Sequence, residues 1–311
     1  MSNYRSGDVI RLTRIAKGLS QEKLCDGICS VQTLHRIENG KTRIKKEIYQ
    51  RLMLKMERIS EMNYAICVGK DMLLIEERTK FEDAIAGYDY EEAAMLIKKI
   101  KEQADSNIIT KQYVLKAEAL LDYYKKEIDE NILIDRLVEA IGLTIPDYVE
   151  YLNKKYPLTE QEIMNIMSIA NAFLHMGNYD KAIELYKKLI KLLDMDYIIG
   201  ANVEHMKIIL MRNIACAHSA RKEYEEAIEL CNKCMNLIKE NNEGKLAAII
   251  LSDIAYNMLR QVENAERESA DIELAKKYLK QSYYISMARG DKKVAQITQN
   301  AYKNEFKENV G

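Results

Sequence analysis

Gly18-Leu19-Ser20-Gln21-Glu22-Lys23-Leu24-Cys25-Asp26-Gly27-Ile28-Cys29-Ser30-Val31-Gln32-Thr33-Leu34-His35-Arg36-Ile37-Glu38-Asn39-Gly40 decides how the chain is read. It divides into two short helices around a tight turn. Ser20 can cap the first helix, with Lys23 standing where a capping box would place Glu or Gln. Leu24 and Ile28 give that helix an apolar edge, and Gly27 lets the chain reverse. Ser30 can cap the second helix, whose Leu34 and Ile37 face inward. Asn39-Gly40 tolerates the left-handed backbone that ends a helix. The outward side of the second helix then carries Val31, Gln32, Thr33, His35 and Arg36. These side chains combine hydrogen-bonding and apolar groups, as a helix lying in a DNA major groove requires.

The words Leu-Ser-Gln, Gly-Ile-Cys-Ser and Arg-Ile-Glu-Asn-Gly resemble the helix-turn-helix of phage-repressor-type (XRE-type) regulators. The short Gly-Ile-Cys-Ser turn is similar to that of the cytoplasmic peptide-pheromone receptors of Gram-positive bacteria, the RNPP group. The resemblance covers roughly residues 8–56. It implies a helical fold in which Gln21 contacts phosphate and Gln32 and Thr33 reach base edges. Gln can pair bidentately with adenine, and the Thr methyl can meet a thymine methyl. Asn39, Lys41 and Arg43 follow the recognition helix, where phosphate contacts are made. The resemblance also implies a buried ion pair between Arg14 and Glu38, joining the first and third helices. Thr13 departs from the family, which normally has an aliphatic residue there.

Charge distribution agrees with a nucleic-acid module at the N-terminus. Residues 1–58 hold 13 Lys+Arg against 6 Asp+Glu, a net +7, and the remainder is net -8. A basic head on an acidic body suits one module that binds phosphates and another that does not. With 311 residues, 48% of them hydrophobic and only two prolines, the chain has material for two helical domains. Six scattered cysteines and no membrane-length apolar run are what a reduced, cytoplasmic protein would show. Cys231-x-x-Cys234 sits in a helical pattern with no second ligand pair, so both read as core residues. No nucleophile–base pair, phosphate loop or metal-ligand spacing stands out. An enzyme is therefore not expected, and no cofactor is assigned.

Downstream, Ser168-Ile169-Ala170-Asn171-Ala172-Phe173-Leu174-His175-Met176-Gly177-Asn178-Tyr179-Asp180-Lys181-Ala182-Ile183-Glu184-Leu185-Tyr186 resembles a tetratricopeptide repeat. It places small and aromatic residues on helix A, Gly-x-Tyr at the turn, and Ala then an aromatic on helix B. A second copy runs from Asn213 through Tyr224-Glu225-Glu226-Ala227-Ile228, and a third puts Ala255 and Ala275 on its two helices. Tyr90-Glu91-Glu92-Ala93 opens helix B of an earlier repeat, and Ala140 to Pro146 ends another. Ala182, Ala227 and Ala275 are 45 and 48 residues apart, longer than the usual ~34. Asp291 to Val310 reads as a terminal cap for the last apolar face. The expectation is all-α: a helix-turn-helix domain at 1–57, a helical linker at 58–70, and a right-handed α-solenoid of tetratricopeptide-like repeats at 71–311.

Steps of three and four residues put Met167, Asn171, Leu174 and His175 on one inner row of helix A. Arg212 and Cys216 with the neighbouring Asn213, and Tyr256 and Arg260 with Asn257, are the next two sets. An Asn can hold the backbone of an extended peptide by donating and accepting. Arg212 or Arg260 could take a carboxylate, including a peptide C-terminus. The RNPP resemblance implies that groove asparagines bind peptide; by residue pattern alone they are equally helix-packing groups. The reading is a cytoplasmic, homodimeric transcriptional regulator that binds double-stranded DNA under control of a short signalling peptide, as in quorum sensing. In the alternative, the repeats bind protein partners or only dimerise.

Overall fold

The computed structural model describes residues 6–42, 44–56, 70–103, 108–154, 158–194, 198–199, 203–241, 244–263 and 270–310. Four helices come first: α1 (Ser6–Ala16), α2 (Gln21–Cys25), α3 (Val31–Glu38) and α4 (Lys46–Lys55). The Ser20 and Ser30 hydroxyls accept from the amides of Lys23 and Thr33, so both expected N-caps form. Gly27 adopts φ 71° in the turn between α2 and α3, a conformation that a Cβ disfavours. Ile10, Leu24, Leu34, Leu52 and Met53 meet in one core, each fully buried. Thr13, at the position where the family has an aliphatic side chain, is also buried, with its hydroxyl unpartnered.

The later helices are α5 (Lys70–Ala86), α6 (Tyr90–Gln103), α7 (Ile108–Tyr124), α8 (Glu130–Gly142), α9 (Tyr148–Lys154), α10 (Glu160–His175), α11 (Tyr179–Asp194), α12 (Val203–Ala220), α13 (Tyr224–Asn241), α14 (Ala247–Glu263), α15 (Ala270–Arg289) and α16 (Lys292–Phe306). Helices α5 and α6, α7 and α8, α12 and α13, and α15 and α16 pack on one another across short turns, as a repeat pattern requires. Ala93, Ala182, Ala227, Ala255 and Ala275 are buried, because close helix approach leaves no room for a larger side chain at these contacts. Asp291 caps α16, and the cap region buries Tyr302 and Val310. Cys231 and Cys234 lie in the core on α13, as expected.

Packing divides the chain into two compact units, Met1–Met176 with Lys191–Asn202, and Gly177–Ile190 with Val203–Gly311. In the first, β1 (Leu158–Thr159) pairs in parallel with β2 (Ile198–Ile199), a small addition to an otherwise helical fold. Thr159 and Glu162 form a reciprocal capping box at the start of α10. In the second, Ser282 and Thr298 hydrogen-bond inside the contact of α15 with α16. The expected linker at 58–70 lies outside the described residues except for Lys70, which opens α5.

Candidate functional site

The N-terminal site is built around a buried carboxylate. Glu38 is 3% exposed. Arg14 donates to it from Nε at 2.7 Å and from Nη2 at 2.9 Å, a bidentate pair. The guanidinium also donates to the Leu19 carbonyl at 2.9 Å, and Gln21 Nε2 donates to Glu38 at 2.6 Å. One carboxylate thus ties α1, the start of α2 and α3 together. The side-chain hydrogen bond to Glu38 raises the Arg14 pKa above its ordinary value, against the opposing effect of burial.

The Arg14–Glu38 pair expected from the resemblance is therefore present. Gln21 has a role that the sequence did not suggest: its amide nitrogen is engaged inside the domain and holds α2 to Glu38. Position alone could not reveal this, because the contact spans 17 residues and depends on how α2 crosses α3.

Most of the α3 side chains read as outward-facing lie at the surface. Val31, Gln32, His35 and Arg36 are exposed on α3, while Leu34 and Ile37 face the core. Thr33 is half-buried, and its hydroxyl shares a 2.8 Å hydrogen bond with Ser30, which fixes its rotamer and leaves the methyl for contact. Asn39 has a local partner. Its amide donates to the His35 carbonyl at 2.8 Å and lies 3.2 Å from His35 Nε2, so it closes the C-terminus of α3. A phosphate would have to compete with that cap. Lys41 is exposed, and Arg43 lies outside the described residues.

Replacing Gln32 and Thr33 together with Ala should weaken specific binding by about 1–3 kcal/mol per lost base contact. Non-specific binding and the thermal midpoint should stay as they are. Fluorescence anisotropy on specific and scrambled duplexes reads both.

Two basic residues that the sequence did not single out act on the turn. Arg51 donates to the Gly27 carbonyl at 2.6 Å, and Lys55 to the Asp26 carbonyl at 2.8 Å, both from α4. They fix the peptide groups that aim α3. Arg51→Ala should lower operator affinity severalfold through lost positioning and leave the salt dependence unchanged. A lost phosphate contact would instead reduce the slope of log K against log salt by about 0.9. Titrations at several salt concentrations separate the two roles.

The residues expected to meet a peptide fall into separate environments. In the first unit, Met167 is buried in the core and Asn171 and Leu174 are half-buried on α10. His175 is exposed and packs on Tyr123. In the second unit, Arg212 holds Asp253 with Nε at 2.6 Å and Nη2 at 3.3 Å, bridging α12 and α14. Arg260 is paired with Glu263 and Glu305 and lies over the Tyr256 ring at 5.1 Å. Both guanidiniums expected to receive a carboxylate therefore already have one. Asp253 stands 41 residues after Arg212, about one repeat, and that spacing was the available signal.

Asn213 also has a packing role, hydrogen-bonding to the buried Tyr186. Cys216, Tyr256 and Asn257 line a cavity of about 310 Å³ with Asp253. Burial pushes the Cys216 thiol up to about 11, so it is protonated at neutral pH. Asn257 is 3% exposed; its amide donates to the Asp253 carbonyl at 2.7 Å and its Oδ1 has no partner. This cavity presents an acceptor to a donor of modest size. Among the described residues no group of three or more His, Cys, Asp or Glu could hold a metal, and no helix is long and apolar enough to cross a membrane.

This geometry defines a helix-turn-helix domain followed by tetratricopeptide repeats. A helix-turn-helix family model matches residues 10–57, and tetratricopeptide-repeat models match residues 166–197 and 209–241. Among solved structures, Bacillus thuringiensis PlcR in complex with the peptide PapR7 and DNA is similar at a TM-score of 0.61 and 19% identity, over 95% of this chain and 99% of that one. PlcR in its apo form gives 0.58 and 18% identity, over 97% and 98%. ComR from S. thermophilus, in complex with DNA and its signalling peptide ComS, gives 0.53 and 14% identity, over 96% and 98%. No curated protein matches the chain in sequence. The likeness in fold to these structures covers nearly the whole chain.

Proposed function

We propose that this chain is a cytoplasmic transcriptional regulator that binds double-stranded DNA as a homodimer and responds to a short signalling peptide. Residues 1–57 are the DNA-binding module, 58–70 the connection, and 71–311 the peptide-sensing module. The observation that carries the reading is the co-occurrence, in one chain, of an exposed Gln32–Arg36 face on a well-packed helix-turn-helix and a repeat array. It is supported by a fold shared almost end to end with a protein solved on both DNA and peptide. Two half-sites are needed because one recognition helix covers too few base pairs for selective binding. No catalytic role is assigned.

Within the repeats, Asn171 is the proposed peptide contact that remains best placed. It is half-buried on α10, one turn before His175. Arg212, Asn213 and Arg260 are reassigned to holding their own helices together, while Cys216, Tyr256 and Asn257 remain proposed contacts around their cavity. A thermal-shift screen of the full chain against synthetic peptides from short reading frames beside its gene tests the reading. A hit should be lost or weakened at least tenfold in Asn171→Ala, while peptide-free DNA binding stays unchanged. If no peptide stabilises the chain, the repeats bind protein partners or only dimerise.

A further inference from the structure

A second cavity, which shares only His175 with the proposed peptide contacts, opens where the turn from α7 to α8 meets the end of α10. Its volume is about 720 Å³. Its walls are aromatic. The Tyr123 ring stacks on His175 with centroids 6.1 Å apart and planes 18° apart, and Tyr124 stacks on Tyr90 at 6.4 Å and 3°. The hydroxyl of Tyr123 donates to Glu130 at 2.9 Å and therefore accepts from Nδ1 of His175 at 3.0 Å. The stacked rings are thus locked in place before anything enters.

Three features of this cavity share one electrostatic sign. Tyrosine rings present negative faces, and Tyr124 is 39% exposed. The rim carries Glu127, Asp129 and Glu130 against the single lysine Lys126. Asp129 caps α8 through Oδ1, and Glu130 accepts from Tyr123 through Oε1; a second oxygen of each carboxylate remains for a donor. Finally, α7 ends at Tyr124 and α10 at His175, so two helix C-termini, the negative ends of their dipoles, border the space. The opposing positive end, the N-terminus of α8, is already covered by Asp129.

We propose that this cavity is a binding site for an arginine side chain presented by a polypeptide partner. A planar guanidinium can stack on Tyr124 while donating to carboxylates in its own plane, which an ammonium cannot do. An opening toward solvent suits a side chain that projects from a larger molecule.

The chain has no tryptophan, so Tyr124→Trp puts a single indole reporter on the cavity wall and keeps an aromatic face. The full-length variant is titrated with acetyl-Gly-Arg-Gly-amide and with the same tripeptide carrying citrulline, which has nearly the same shape and no charge. The arginine peptide should change the indole emission saturably, and the citrulline peptide should bind at least fivefold more weakly. Adding Glu127→Gln and Glu130→Gln should weaken the arginine peptide at least fivefold. Equal titration by the two peptides, no titration by either, or indifference to the Gln changes overturns the proposal. If Tyr124→Trp alters the melting curve, saturation-transfer NMR of the same peptides on the unmodified chain, with and without the two Gln changes, decides by the same criteria.

Discussion

Replacing Glu38 with Ala should destabilise the N-terminal domain by about 3–5 kcal/mol, the range for removing one partner of a buried ion pair. The cost arises less from the lost attraction than from what is left behind. Arg14 would keep only its bond to the Leu19 carbonyl, with its charge largely enclosed, and the Gln21 amide would lose its acceptor. A domain of this size has little stability in reserve, so DNA binding should vanish at ambient temperature. The distant repeats should keep their helical signal. Circular dichroism melts of the full chain, read beside DNA titrations, check this. Replacing both Arg14 and Glu38 with Met should recover much of the stability, because the unpaired charge disappears. A single Glu38→Ala protein that melts and binds as wild type does would show that the pair contributes nothing.

Gly7→Ala should have a comparable effect for a steric reason. A Cβ at Gly7 would sit 1.9 Å from the carbonyl oxygen of Ile37 and 2.8 Å from its carbonyl carbon. Both obstacles are backbone, so no side chain can rotate aside; α1 must move off α3. Ala gains at most about 1 kcal/mol over Gly in helix propensity, whereas overpacking of a tight contact costs about 1–3 kcal/mol or more. The steric term wins. Because the displaced element is the recognition helix itself, DNA affinity should fall further than the loss of stability alone explains. Thermal melts and operator titrations on the same preparation test both parts.

These two positions show what the sequence could and could not reveal. The helix-turn-helix was legible because its caps, glycines and apolar spacing lie within 23 consecutive residues, where local rules apply. The repeats were legible where Ala pairs with Gly-x-Tyr, as at Ala182. Other turns were hidden: Tyr88, Lys126 and Lys222 adopt the left-handed backbone at φ 62–64° without being glycine. There the helix pairs on either side fix the turn despite an unfavourable residue.

Long-range partners were the least legible. Arg212 read as a ligand group because its carboxylate, Asp253, lies on a helix two elements later. Gln21 read as a phosphate contact because nothing local shows that it faces Glu38. Thr159-x-x-Glu162 was a capping-box signal in plain view that the repeat pattern obscured. For Arg212 and Gln21, a polar side chain that looked available from its own helix was engaged by a neighbour.

On the proposed function, DNA binding by the N-terminal helices is under peptide control from the repeats. An effector shifts DNA affinity only if it favours one of two conformations. The direct measurement is the dissociation constant of the full-length chain for DNA from the promoter region next to its gene, with and without saturating synthetic peptide from a neighbouring short reading frame. The expected change is about 5–150-fold, the usual range of coupling between sites, with Gln32→Ala plus Thr33→Ala weakening specific binding in both conditions. An identical dissociation constant with and without a peptide that demonstrably binds the chain would contradict it.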